Sequence, residues 1–158
     1  MRPTTQLFGQ TLGAPINSGP QQHYVLNSAL HHLDRWVRDG RAPPVAERLD
    51  VANAGSASFV LDETGNARGG IRTPWVDVPV AALSGLGQEG PGFAPLFGTT
   101  KTFESATLTH LYAGGREQYL EKFAQATRAA VQAGFILAAD ESEINALAAA
   151  MYPATTGP

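Results

Sequence analysis

The sequence predicts a mixed α/β chain that is mostly helical, with one short β-hairpin and one long glycine- and proline-rich loop. Two observations carry that class. Apolar residues recur at helical steps along separate stretches, and the segment from Ser84 to Gly98 holds five glycines and two prolines in fifteen residues, too many for a regular element. A length of 158 residues fits one domain of ordinary size.

The first element is a helix from Pro20 to Asp39, in which Leu26, Leu30, Leu33 and Val37 form one apolar stripe expected to face the core. Ser18 followed by Gln21 reads as a capping box, Pro20 suits the first turn, and Gly40 supplies a left-handed stop before Pro43 and Pro44. Residues 41–58 read as an extended linker, because Ala52, Asn53, Ala54, Gly55 and Ser56 offer nothing large to bury. Phe59, Val60 and Leu61 then predict a short strand. The turn formers Asp62 to Asn66 return the chain through Ala67 to Ile71 as a hairpin. Val76, Val78 and Val80 alternate with Asp77 and Pro79, and since Pro79 lacks a ladder donor this predicts an edge strand or extended segment.

The loop from Ser84 to Gly98 is expected to be pinned by Phe93, Leu96 and Phe97. Two or three helices close the chain. One runs from Phe103 to Tyr112, capped by Thr102; the next runs from Arg116 to Ala133 with Leu120, Phe123, Thr127 and Val131 on one face and Gly134 as its stop. Asp140 and Glu143 predict a second capping box, opening a helix through Ile144, Leu147, Ala148 and Met151 that ends near Tyr152 because Pro153 follows.

Composition narrows the function. With 11 Lys and Arg against 14 Asp and Glu, the net charge of -3 leaves no basic excess for phosphates or anionic lipid, so neither nucleic acid nor membrane is expected as a partner. The absence of cysteine excludes a disulfide framework, thiolate zinc sites and a cysteine nucleophile. No apolar run of about 18 residues occurs, and the stretch after Met1 (Arg2, Pro3, Thr4, Thr5) lacks the apolar core of a leader, which predicts a cytoplasmic protein.

Several motifs tempt a sharper reading. Gly85-Leu86-Gly87-Gln88-Glu89-Gly90 matches a dinucleotide fingerprint as a string, but Pro91, Gly92 and Pro95 prevent the helix whose amides would meet a pyrophosphate, so no cofactor is expected. Ala82 and Leu86 stand around Ser84 where a nucleophile elbow needs glycines. His23, Asn27 and His31 share a helix face, yet eight residues of helix separate the two histidines by about 12 Å, too far for one metal ion. His31 with Asp34 or Arg35 reads as an exposed polar pair. His23 follows an irregular segment at a loop-to-helix junction and is the one candidate to line a pocket. Arg72 and Asp77, flanking Pro74 and Trp75, read as a local ion pair holding an extended strap.

Four segments together resemble a known family: Pro15-Ile16-Asn17-Ser18-Gly19-Pro20; Leu33-Asp34-Arg35-Trp36-Val37-Arg38-Asp39-Gly40 with Pro43-Pro44; Gly69-Gly70-Ile71-Arg72-Thr73-Pro74-Trp75-Val76-Asp77-Val78-Pro79; and Leu96-Phe97-Gly98-Thr99. In order and spacing they resemble the C-terminal part of large bacterial alpha/beta hydrolase domain-containing proteins. The resemblance runs from about Ala14 to Ile144, with the Gly-Gly-Ile-Arg-Thr-Pro stretch its most specific piece. It implies that the nucleophile, acid and base belong to a hydrolase core lying mostly upstream, that residues 1–40 end that core with its last helix, and that residues 41–158 form a C-terminal extension. The fold needs several parallel crossovers of roughly 30 residues each, and the segments here alternate too little for even two.

Catalytic residues are therefore expected in none of the positions of this chain. The resemblance implies hydrolysis of a small ester-like substrate only with the missing core. A fragment of that kind has an uncovered first helix, so self-association or a partner through that helix is expected. The rival is a non-catalytic, alpha-rich binding or assembly module, favoured by the predicted caps at nearly every helix end. A complete small hydrolase is the least supported alternative, for want of a nucleophile paired with a base.

Overall fold

The computed structural model describes residues 4–53 and 55–153; the readings drawn from Met1, Arg2, Pro3 and Ala54 lie outside them. Among the described residues the fold is mixed α/β, with five helices and three two-stranded antiparallel sheets. In chain order these are β1 (Gln6–Leu7) with β2 (Gln10–Thr11), α1 (Gln21–Asp39), β3 (Val51–Asn53) with β4 (Ser56–Phe59), α2 (Pro74–Asp77), β5 (Ala81–Ser84) with β6 (Thr99–Thr102), α3 (Ser105–Leu111), α4 (Gly115–Gln132) and α5 (Glu141–Met151). No parallel strand pair occurs among the described residues, so the parallel crossovers of a hydrolase sheet are absent from them.

The core gathers around α4. Tyr119, Phe123, Thr127 and Ala130 of this helix are buried against Trp75 of α2 and Ile144 and Ala148 of α5. Trp75 is the hub: its ring stacks on Tyr24 of α1 at 5.5 Å and meets Phe123 edge-on at 5.5 Å, arrangements that aromatic quadrupoles favour.

Helix α1 forms where expected and ends on left-handed Gly40, but it overturns the reading of its stripe. Leu26, Leu30, Leu33 and Val37 are each at least 50% exposed, while Tyr24 and Ser28 are buried. At about 100° per residue these two sets lie roughly on opposite sides of the helix. Periodicity finds the larger apolar face; the chain packs on the smaller one, because Tyr24 has an aromatic partner there and Ser28 a carbonyl.

The valines after Pro74 do not make a strand. Pro74 occupies the first turn of α2, where its missing N–H costs nothing, and the Thr73 carbonyl accepts the Val76 and Asp77 amides at 2.9 and 3.0 Å. The expected hairpin does close through Asp62 to Asn66, with the Asp62 amide bonded to the Asn66 carbonyl at 2.8 Å and Leu61 bridging Ala67. The expected single hairpin and linker are corrected by the β3–β4 pair, in which Val51 faces Phe59 and which draws on residues expected to be linker. Leu49 also bridges Gly69, extending this ribbon.

The β5–β6 pair, with Ala81 opposite Thr102, closes the base of the glycine-rich loop. Phe93 and Leu96 do not pin that loop, for both are exposed. The buried Gln88 does: its side-chain amide donates to the Ala14 and Gly98 carbonyls, each at 2.9 Å, and accepts from the Ala14 amide at 3.1 Å. Helices α3, α4 and α5 appear close to their expected limits, yet among the described residues no N-cap side chain bonds into its helix. The Ser18 hydroxyl instead lies 3.3 Å from the Thr100 hydroxyl, Thr102 is drawn into β6, and a 3-10 turn over Ala138–Asp140 runs straight into α5.

Candidate functional site

The most specific sequence stretch, Gly69 to Trp75, becomes a compact polar knot. Gly69 has a φ of 74°, and a β-carbon there would run into the Arg48 carbonyl, so only glycine lets the two backbone segments approach. The turn places Arg72 among four acceptors. Its Nε donates to Asp77 Oδ1 at 2.6 Å, Nη1 to the Ala67 carbonyl at 3.0 Å, and Nη2 to Asp62 Oδ2 at 3.4 Å and the Val76 carbonyl at 3.5 Å. The expected Arg72–Asp77 pair is thus present, and Asp62 joins it.

Asp62 also organises the hairpin turn by accepting the Thr64 hydroxyl at 2.7 Å and the Thr64 and Asn66 amides at 2.9 and 3.0 Å. Burial alone would raise its pKa, but these bonds, together with Arg72, outweigh it and hold the carboxyl below its ordinary range. Asn66, itself buried, passes the order onward by accepting the Leu83 amide at 2.9 Å. The knot forms the floor of an open cleft of about 490 Å³ that Arg68 and Lys122 also border.

His23 stands exposed in the first turn of α1, its Nε2 3.4 Å from the Asn27 amide nitrogen and its ring edge-on to Tyr24 at 5.0 Å. Three and seven residues before Leu26 and Leu30, it shares the face of the uncovered stripe. The expected pairing of His31 with Asp34 or Arg35 is not made; Asp34 pairs with Arg38 at 2.9 Å and the His31 ring meets His32 edge-on.

A Ser and His do converge, at a place the sequence reading missed. Ser28 Oγ donates to the Gly134 carbonyl at 2.7 Å and His32 Nε2 to the same oxygen at 2.9 Å. Both protons point at one carbonyl, so the pair clamps α1 to the turn after α4 and does not form a nucleophile with its base. Helical spacing of four between a Ser and a His was the available signal. Among the described residues no group of three His, Asp or Glu side chains is placed to hold a metal ion, and no helix is long and apolar enough to cross a membrane.

Residues 2–146 match a family described as alpha/beta hydrolase domain, and the match begins among the first dozen residues, which the sequence reading left outside the resemblance. No curated protein and no solved structure matches the chain. The family match covers nearly the whole sequence and includes the Gly69–Trp75 knot, α1 and the loop that Gln88 holds: this chain belongs to the alpha/beta hydrolase domain family.

Proposed function

We propose that the chain is the C-terminal portion of a bacterial alpha/beta hydrolase, and that hydrolysis of a small ester requires a catalytic core lying upstream. Residues 1–40 would end that core with its last helix, and residues 41–158 would form the extension that straps back over it. The observation that carries this reading is the two-sided α1: one face packs on Trp75 and Gly134, while Leu26, Leu30, Leu33 and Val37 on the other remain uncovered. A helix that packs on one side and leaves an apolar stripe open on the other belongs between two layers.

His23 would then face the core at the helix end where strands of an open α/β sheet finish and ligands bind, which makes it a pocket-lining residue and not the base. The absence of cysteine supports a cytoplasmic location. The self-standing binding module draws support from the closed cluster around Tyr119 and Phe123, but it loses the helix caps that favoured it.

Turnover of p-nitrophenyl esters tests the proposal. The purified chain is expected to show none, a longer protein ending in this sequence is expected to show it, and His23→Ala in that protein is expected to lower it. Turnover by the clean 158-residue chain would overturn the reading.

A further inference from the structure

Trp75, the hub of the core, spends its indole N–H on a weak acceptor: Nε1 donates to the thioether sulfur of Met151 at 3.3 Å. Met151, the last residue of α5, is only partly buried, so a small oxidant can reach its side chain. A cavity of about 30 Å³ adjoins this bond, with Trp75, Met151 and Tyr119 among its walls alongside Val78, Val80 and Leu83. That volume is about one water's share of the liquid, which is room for a single added oxygen atom.

Tyr119 has no exposed surface, and its buried hydroxyl has no hydrogen-bond partner among the described residues. Burial pushes the pKa of that hydroxyl up, so it keeps its proton and remains a donor. Two donors therefore belong to the walls of one cavity, the first on a weak acceptor and the second on none, and a buried donor left unmet is costly. Thr100, also in the wall, is already engaged: its hydroxyl accepts the Ser18 amide at 2.9 Å and donates to the Ile16 carbonyl at 2.7 Å.

We propose that Met151 is a site of reversible oxidation by hydrogen peroxide, with its sulfoxide oxygen seated in this cavity between the Trp75 N–H and the Tyr119 O–H. A sulfur lone pair attacks one peroxide oxygen, the O–O bond breaks, and the departing hydroxide takes the proton left on the transferred oxygen, giving the sulfoxide and one water. Oxidation of a core methionine ordinarily disrupts packing. Here the new oxygen, a stronger acceptor than the thioether, meets two donors that the reduced core leaves poorly served. Trp75 also stacks on Tyr24, so the change is made one contact away from α1. The inference needs no catalytic core and stands apart from the ester-turnover reading.

The test treats the 158-residue chain with hydrogen peroxide and follows by mass the tryptic peptide 129–158, which carries Met151 and no other methionine. In a Trp36→Phe background Trp75 is the single tryptophan reporter. One added oxygen in that peptide is expected, with a cooperative urea transition retained and the Trp75 emission shifted. A methionine sulfoxide reductase with a thiol reductant should reverse both the mass and the emission. Met151→Leu should abolish the emission shift. Tyr119→Phe should lower the folding constant of the oxidised chain about fivefold more than that of the reduced chain, because only the former loses a hydrogen bond. A peptide left unoxidised while free methionine is converted, an oxidised chain that no longer folds, an emission shift that persists in Met151→Leu, or equal losses for Tyr119→Phe in the two forms would overturn the proposal.

Discussion

Replacing Leu30 and Leu33 together by glutamine separates a covered helix face from an uncovered one. Full burial of a leucine contributes about 1.5–3 kcal/mol, and glutamine has nearly the same helix propensity. Because Leu30 and Leu33 are 56% and 50% exposed, only about half of that contribution operates in the chain alone, and the double variant should lose roughly 2 kcal/mol. Had the stripe been core, the loss would be about 4–10 kcal/mol, enough to unfold a domain of this size. The other half becomes available when the stripe is covered: over Leu26, Leu30, Leu33 and Val37 it amounts to about 3–6 kcal/mol, or a factor of roughly 10² to 10⁴ in association. Urea unfolding followed by Trp fluorescence, with sedimentation velocity over a range of concentrations, reads both effects. The wild-type chain should self-associate and the double variant much less, with a small fall in unfolding midpoint. A wild-type chain that sediments as a concentration-independent monomer, or a double variant that no longer folds, would refute the reasoning.

Three further outcomes are expected. Arg72→Lys should cost about 1–3 kcal/mol in urea unfolding despite keeping its charge, because an ammonium cannot serve Asp62, Asp77 and the Ala67 carbonyl in one plane; a loss below a few tenths would contradict the knot. Asp62 has a folded pKa below its unfolded value near 3.8, so its contribution is present above that pH and is lost as pH falls through the folded pKa. Stability measured from pH 6 down to about pH 2 should therefore fall less steeply at the acid end in Asp62→Asn than in wild type, and identical slopes would count against it. Gly69→Ala should cost more than about 1–2 kcal/mol, since the left-handed backbone and the Arg48 carbonyl both oppose a β-carbon, whereas Gly40→Ala meets only the backbone term; equal thermal shifts for the two would refute this distinction.

What the sequence revealed depended on whether the signal was local. The left-handed stop at Gly40, the turn from Asp62 to Asn66 and the Arg72–Asp77 pair follow from neighbouring residues, and all appear. The Ser18 cap bond did not form because a distant partner competed: Thr100 lies 82 residues from Ser18 and takes its hydroxyl. The valines at 76, 78 and 80 mimic a strand because Val78 and Val80 follow a single helical turn, whose start Pro74 sets. On α1 the apolar period identified one face, and nothing local could say that Tyr24, with one aromatic ring, would win the contact with Trp75 over four aliphatic side chains. Gln88 was legible only as part of a glycine-rich string, since its partner Ala14 lies 74 residues away in the chain. His23 was singled out for its place after a loop, and the structure adds that it lies on the uncovered side of the same helix.

The most direct measurement is the size of the natural product in its source cells, read on a denaturing gel with an antibody raised against residues 134–152. A band far above 16.6 kDa is expected, as the proposed origin in a larger protein that covers Leu26, Leu30, Leu33 and Val37 requires. A single band at 16.6 kDa would contradict that origin and turn the search toward a separate protein that covers α1.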